Sequence, residues 1–245
     1  MDRDRSRFTT EIISDNNKKN PKSQNNMNNT TVAILSAGTG SRIKSHEPRS
    51  LIKIGNKTLI EHQILTIRNH FKSPEIITVV GCKAERVIKK IRGDVRIVEN
   101  QMHDTTNASE SMRLAFNNSG KSNFLFMHGD LYFNIPTLRV DYDRSFIIVD
   151  NKNMISEKEV GVTICNGVAS ILSYGLPAKW CQIAYVTGKE LKILQSVFNK
   201  FDDRCKKMLS FEVLNKMISM GAVFKCHEPE GMSILEIDRI KDLNQ

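Results

Sequence analysis

The 245-residue chain has no apolar run long enough to span a bilayer, which argues against a transmembrane protein and a membrane partner. Its first residues, "MDRDRSRFTTEIISDNN", lack the apolar stretch of a secretory signal, so the expected location is cytoplasmic. The five cysteines, Cys82, Cys165, Cys181, Cys205 and Cys226, are scattered and form no C-x-x-C pair. That spacing excludes the common zinc sites and a disulfide framework, and leaves buried thiols in a reducing compartment as the expectation. Aromatics are scarce at 7%, with one tryptophan, so the basic-aromatic interleaving of single-strand binders is missing. The net charge of +9 suits a polyanionic ligand. Its lysines and arginines are spread rather than clustered, which disfavours nucleic acid as the partner.

What the chain does have is rhythm. Residues 1–30, with "DNNKKNPKSQNNMNN", are polar and aperiodic and read as a disordered leader, and residues 31–245 read as one domain. "TVAILSA" fits a buried parallel strand. Leu59, Ile60, Gln63, Ile64, Ile67 and Phe71 follow at helical spacing. "EIITVVG", "KAERVIKKI", "VRIVEN", "NASESMRLAFNN" and "NFLFMHGD" continue the alternation of strand and helix. The pattern predicts an α/β fold: one three-layer α/β/α domain with a mostly parallel central sheet covered on both faces. After Asp130 the rhythm changes to closely spaced strands, from "SFIIVD" to "CQIAYVT", then two helical stretches. That half predicts a mixed extension of the sheet.

The chemistry concentrates at three places. Ala37, Gly38, Thr39 and Gly40 follow the first strand, where small residues let backbone N–H groups approach an anion. Arg42 adds a permanently charged donor fork suited to phosphate oxygens, and Pro48-Arg49 follows. The loop contains neither Gly-Lys-Ser/Thr nor G-x-G-x-x-G, so it is neither a P-loop nor a dinucleotide fingerprint, and alone it reads equally as a plain turn. Asp130 stands just past a buried strand, where ligands gather in open α/β sheets. Glu236 and Asp238 are two apart, so on a strand both face one side and can share a hard cation such as Mg²⁺. His128 reads first as a packing or hydrogen-bonding residue at a strand end. Asn107, Ser109 and Ser111 open a predicted helix and fit capping.

These motifs together resemble the nucleotidyltransferases of the nucleotide-diphospho-sugar transferase fold. That family's L-x-A-G-x-G-x-R, P-K-x-L and G-x-x-L-I signatures align with Leu35 to Arg42, Pro48-Arg49-Ser50-Leu51, and Gly55 to Ile60. "LIEHQI", "HDTTNASES", "GDLYF" and "EGMSILEID" are similar to phosphocholine cytidylyltransferases and sugar-phosphate nucleotidyltransferases of bacteria. The resemblance implies transfer of a nucleotidyl group from an NTP, CTP or UTP first, to a phosphorylated small molecule. It implies Arg42 and Arg49 as catalytic residues. Leu35, Ala37, Gly38, Thr39, Gly40, Gly81, Asn107 and Ser111 would bind nucleotide or acceptor, and Asp130, Glu236 and Asp238 would bind Mg²⁺. Two departures stand out. Arg49 occupies the place of the family's Lys, with Lys44 and Lys53 as nearby alternatives. A choline site also needs an aromatic cage, for which Trp180, Tyr132, Tyr142, Tyr174 and Tyr185 are the candidates. An activity-impaired protein that binds NTP or a nucleotide-sugar as a sensor is the alternative reading.

Overall fold

The computed structural model describes residues 21–38, 47–120, 122–152 and 156–237. Thr39, Gly40, Arg42, Lys44 and Asp238, and residues 1–20 of the expected leader, lie outside the described residues. The helices are α1 (Pro21–Asn28), α2 (Leu59–His70), α3 (Ala84–Ile88), α4 (Ala108–Asn117), α5 (Gly188–Asn199) and α6 (Ser210–Ser219). The first half contributes β1 (Thr30–Ser36), a hairpin of β2 (Lys53–Ile54) and β3 (Lys57–Thr58), β4 (Glu75–Val80), β5 (Arg96–Glu99), β6 (Asn123–His128) and β7 (Leu131–Phe133). The second contributes β8 (Phe146–Asp150), β9 (Val160–Cys165), β10 (Val168–Tyr174), β11 (Ala178–Val186), β12 (Lys225–His227) and β13 (Ile234–Glu236). No described helix is long and apolar enough to cross a membrane.

A nine-stranded sheet runs in the order β5-β4-β1-β6-β11-β8-β12-β10-β9. From β5 to β6 every pairing is parallel, which is what the strand-helix alternation demands. Beyond β6 the sheet is mixed: β11 runs antiparallel to both β6 and β8, and β12 parallel to β8. The change of rhythm after Asp130 is this change of topology.

Strand alternation divides the core in two. On β1, Val32 and Ile34 face a core shared with Ile60, Ile64 and Ile67 of α2. Ala33 and Leu35 face the opposite core, with Met112 of α4, Leu194 of α5 and Leu214 of α6. Both faces of β1 are therefore covered, and the strand is buried at every position. The five cysteines are free thiols. Cys181 and Cys205 are buried as expected, while Cys165 is exposed at the end of β9.

The expected leader ends earlier than residue 30. Residues 21–28 form α1, and the next residues already belong to β1. The helix is polar, so periodicity could not reveal it. It docks by two buried side chains, Ser23 and Met27, and by hydrogen bonds. The Tyr142 N–H donates to Ser23 Oγ (2.8 Å), Asn26 Nδ2 donates to the Tyr142 carbonyl (2.7 Å), and Asn123 Nδ2 donates to the Asn26 carbonyl (3.1 Å). Deleting residues 21–28 removes these contacts and should cost about 2–4 kcal/mol. For a domain of this size that is a fall in Tm of roughly 4–16 °C, readable by differential scanning calorimetry. An unchanged Tm would show that α1 contributes nothing to the fold.

Candidate active site

Three parallel strands end side by side. Leu35 of β1 stands in register with Val79 of β4 and His128 of β6. The chain leaves these ends at Ala37-Gly38, Gly81 and Gly129-Asp130, all on one edge of the sheet. The edge is closely tied: Gly129 N–H donates to the Leu35 carbonyl (2.9 Å) and Cys82 N–H to the Ala37 carbonyl (3.2 Å). Gly81 is required by space. A Cβ there would lie 2.6 Å from His103 Cβ and 2.8 Å from the Ala37 carbonyl. At Gly38, by contrast, a Cβ would meet nothing within 4 Å among the described residues.

Arg49 reaches this edge from the side. Pro48 (φ −56°) opens a 3-10 turn, Arg49–Leu51, closed by Leu51 N–H to the Pro48 carbonyl (2.9 Å). From that turn Arg49 Nη1 donates to Asp130 Oδ2, and only 17% and 12% of the two side chains are exposed. The other carboxylate oxygen, Asp130 Oδ1, is buried without a hydrogen-bond partner. Lys53, the described alternative to Arg49, is exposed on β2.

The C-terminal segment supplies a second carboxylate. β13 pairs antiparallel with β7 and sets Glu236 opposite Leu131, while Ile237 N–H donates to the Asp130 carbonyl (2.8 Å). Glu236 Oε2 accepts from Gln182 Nε2. Gln182 sits at the register shift of β11 with φ +57°, a left-handed conformation that turns it out of the strand pattern. Lys179 pairs with Glu159, beside Asp150 on the β8 ladder. Burial opposes the Lys179 charge, but the Glu159 hydrogen bond and charge, with Glu236 beyond, hold its ammonium above the ordinary lysine value.

Two further residues hold the frame. Gln63 of α2 donates to the carbonyls of both His128 (2.9 Å) and Leu131 (2.8 Å), bracketing the turn that carries Asp130. Asn100 donates to Ser111 Oγ (3.2 Å) and Thr106 Oγ1 (3.1 Å), fixing the turn with His103 against Gly81. A polar residue inside the apolar stripe of α2 was a signal for Gln63; nothing local marks Gln182.

Of the residues singled out from sequence, Leu35, Ala37, Gly38, Gly81, Arg49, Asp130 and Glu236 border this edge. Leu35 does so with its backbone, since its side chain points into the core. Asn107 holds the N-cap position of α4 without a side-chain capping bond and instead donates its amide to the Lys207 carbonyl (2.6 Å); Ser109 Oγ donates to the Cys205 carbonyl (2.8 Å). Both tie α4 to the 3-10 turn Cys205–Lys207. His128 bonds Ser210 Oγ through Nε2 (2.7 Å). Burial chiefly lowers its pKa, with Asp130 opposing and the Arg49 charge adding. The aromatic candidates do not converge. Trp180 is buried against Phe126 and His128, Tyr142 and Tyr185 belong to a core cluster, Tyr132 meets His62, and Tyr174 meets Phe211.

Residues 32–140 match the MobA-like NTP transferase domain. That segment, a little under half of the chain, is similar to this nucleotidyltransferase family. It contains the glycine-bearing strand ends, Arg49 and Asp130. The bifunctional protein GlmU of Methanococcus vannielii is 30% identical over 134 residues, covering 52% of this chain and 32% of that protein. GlmU of Gluconobacter oxydans is 32% identical over 87 residues, 36% of this chain and 19% of that protein. The chain thus spans a third or less of these relatives. Among solved structures, the inositol-1-phosphate CTP transferase from T. maritima superposes with a TM-score of 0.72 at 17% identity, covering 87% of this chain and 91% of that one. The CTP:phosphocholine cytidylyltransferase LicC from Streptococcus pneumoniae gives 0.71 at 20% identity, covering 88% and 96%. At these identities the structural likeness establishes a common fold.

Proposed function

We propose that the protein transfers a nucleotidyl group from an NTP, CTP or UTP first, to a phosphorylated small molecule. The observation that carries this reading is the meeting of Gly38, Gly81, Arg49, Asp130 and Glu236 at one sheet edge, within and beside the family segment. The acceptor phosphate oxygen attacks the α-phosphorus in line, a P–O bond forms, the bond to the β-phosphate bridging oxygen breaks, and pyrophosphate leaves. The backbone at Ala37-Gly38 receives the triphosphate, and Gly81 with His103 borders the base. Arg49 holds the α-phosphate, and Arg42, outside the described residues, holds the outer phosphates. Asp130 and Glu236 would hold a hard divalent cation through their carboxylate oxygens, Asp130 Oδ1 being buried without a partner, and Asp238, outside the described residues, would be the third ligand. A cation held there, Mg²⁺ by the donor chemistry, would supply charge neutralisation for the phosphates. Gln182, bonded to Glu236, and Lys179, within reach of the Glu236 charge, add polar groups beside that carboxylate, which suits a hydroxyl-rich sugar phosphate; without a described aromatic cage, phosphocholine ranks second.

The test crosses four NTPs with sugar 1-phosphates, phosphocholine and related phosphates, and follows pyrophosphate release with and without Mg²⁺. The expected result is Mg²⁺-dependent release with a pyrimidine triphosphate and one acceptor class. NTP binding without turnover on any pair selects the sensor reading, and neither binding nor turnover rejects both.

A further inference from the structure

We propose that Arg49 makes cation and nucleotide binding mutually dependent: in the nucleotide-free chain its guanidinium fills the cation's place at Asp130, and a bound triphosphate draws it away. The inference rests on the reading of Asp130 as a cation ligand in nucleotidyl transfer. Three observations carry it. Arg49 donates to Asp130 Oδ2 in an ion pair that is mostly buried. It stands on a closed 3-10 turn, with Ile52 N–H donating to the Arg49 carbonyl (2.9 Å), so the pairing is anchored from a fixed backbone. Asp130 Oδ1 is buried without a hydrogen-bond partner, so the guanidinium engages one oxygen of the carboxylate and leaves the other unpaired.

A guanidinium is permanently charged, so it cannot vacate the carboxylate by losing a proton. Only a competing anion can take it, and a triphosphate offers oxygens that match its donor fork. A divalent cation arriving alone meets a carboxylate already neutralised by a fixed positive charge. Arriving with the nucleotide, it meets a released Asp130 and additional phosphate oxygens. The coupling is reciprocal by thermodynamic necessity: the nucleotide raises cation affinity by the factor by which the cation raises nucleotide affinity.

The test measures Mn²⁺ binding to the full chain by electron paramagnetic resonance, without turnover. Without nucleotide, Arg49→Met should bind Mn²⁺ about tenfold tighter than the parent, within the roughly 5–150-fold range of typical couplings. Arg49→Met/Asp130→Asn should lose that gain, which assigns it to Asp130. With a non-hydrolysable CTP or UTP analogue, the parent's Mn²⁺ affinity should rise by more than that of Arg49→Met. Arg49→Gln, which keeps a polar group against the carboxylate, repeats the comparison should the Met variant fail to fold. Folded variants that bind Mn²⁺ no better than the parent overturn the inference, even where the nucleotide binds and the proposed function stands. A gain at Asp130 with no nucleotide binding to any variant overturns the proposed function and the coupling with it.

Discussion

Asp130→Ala is expected to lower nucleotidyl transfer by about a thousandfold or more, the upper scale for removing one preorganised charge-stabilising group, while the protein stays folded. The residue combines two properties that separate activity from stability. Its side chain meets Arg49 and otherwise leaves Oδ1 without a partner, so it stands at the site and not in the core. Its structural contacts are made by backbone: the Asp130 carbonyl receives Ile237 N–H, and Gln63 holds the neighbouring carbonyls of His128 and Leu131. Alanine keeps all of these. What it removes is one partner of a mostly buried ion pair, a cost of at most about 3–5 kcal/mol. Asp130→Asn reduces that cost by preserving shape and a hydrogen-bond acceptor. Turnover by either variant close to the parent's, in the presence of a divalent cation, would remove Asp130 from the reaction. A collapse of circular dichroism in both variants would instead make the residue structural.

The fold was legible wherever apolar periodicity was the cause of structure. β1, β4 and β6 are short apolar runs because both faces are covered, and α2 shows its stripe because one face packs on the sheet. The strand-end position of Asp130 followed from the same signal. The parts that escaped depend on contacts between distant residues. α1 is held by Ser23 and Asn26 against Tyr142, more than a hundred residues away, and its composition resembles an unfolded tail. Arg49 and Asp130 are 81 residues apart, and no pattern in either segment announces the pair. Gln182 looks like one more position in a strand until a register shift turns it toward Glu236. Trp180 was a candidate for a ligand cage, yet strand alternation on β11 sends it into the core beside Phe126. A lone aromatic in a strand is decided by the face it occupies, and the bulge in β11 hides that parity.

Gly129→Ala is expected to cost stability and activity together, in contrast to Asp130→Ala. The requirement here is space, because a Cβ at Gly129 would lie 2.1 Å from Ser36 Oγ and 2.9 Å from both the Leu35 carbonyl and Ser36 Cα. Two of those three atoms are backbone of β1, which is buried throughout and paired on both sides. β1 cannot retreat, so β6 must move away at its end, against the Gly129 N–H bond to Leu35. Overpacking of this kind costs about 1–3 kcal/mol. The displaced segment carries Asp130, and a misplacement of about 1 Å in a reacting group can cost on the order of a hundredfold in rate. Ser36→Ala separates the contributions. Ser36 Oγ is buried without a hydrogen-bond partner, so removing it breaks no bond and relieves the shortest contact. The Leu35 carbonyl contact remains. Gly129→Ala/Ser36→Ala should therefore recover part of the lost stability, with a coupling of roughly 0.5–3 kcal/mol between the two sites in urea unfolding. Its transfer rate should recover only in part, because the backbone contact still pushes the Asp130 turn outward. A single Gly129→Ala variant within about 0.5 kcal/mol of the parent, the range of an uneventful surface change, would mean that β6 gives way freely at this edge and that Asp130 is not held by its packing on β1.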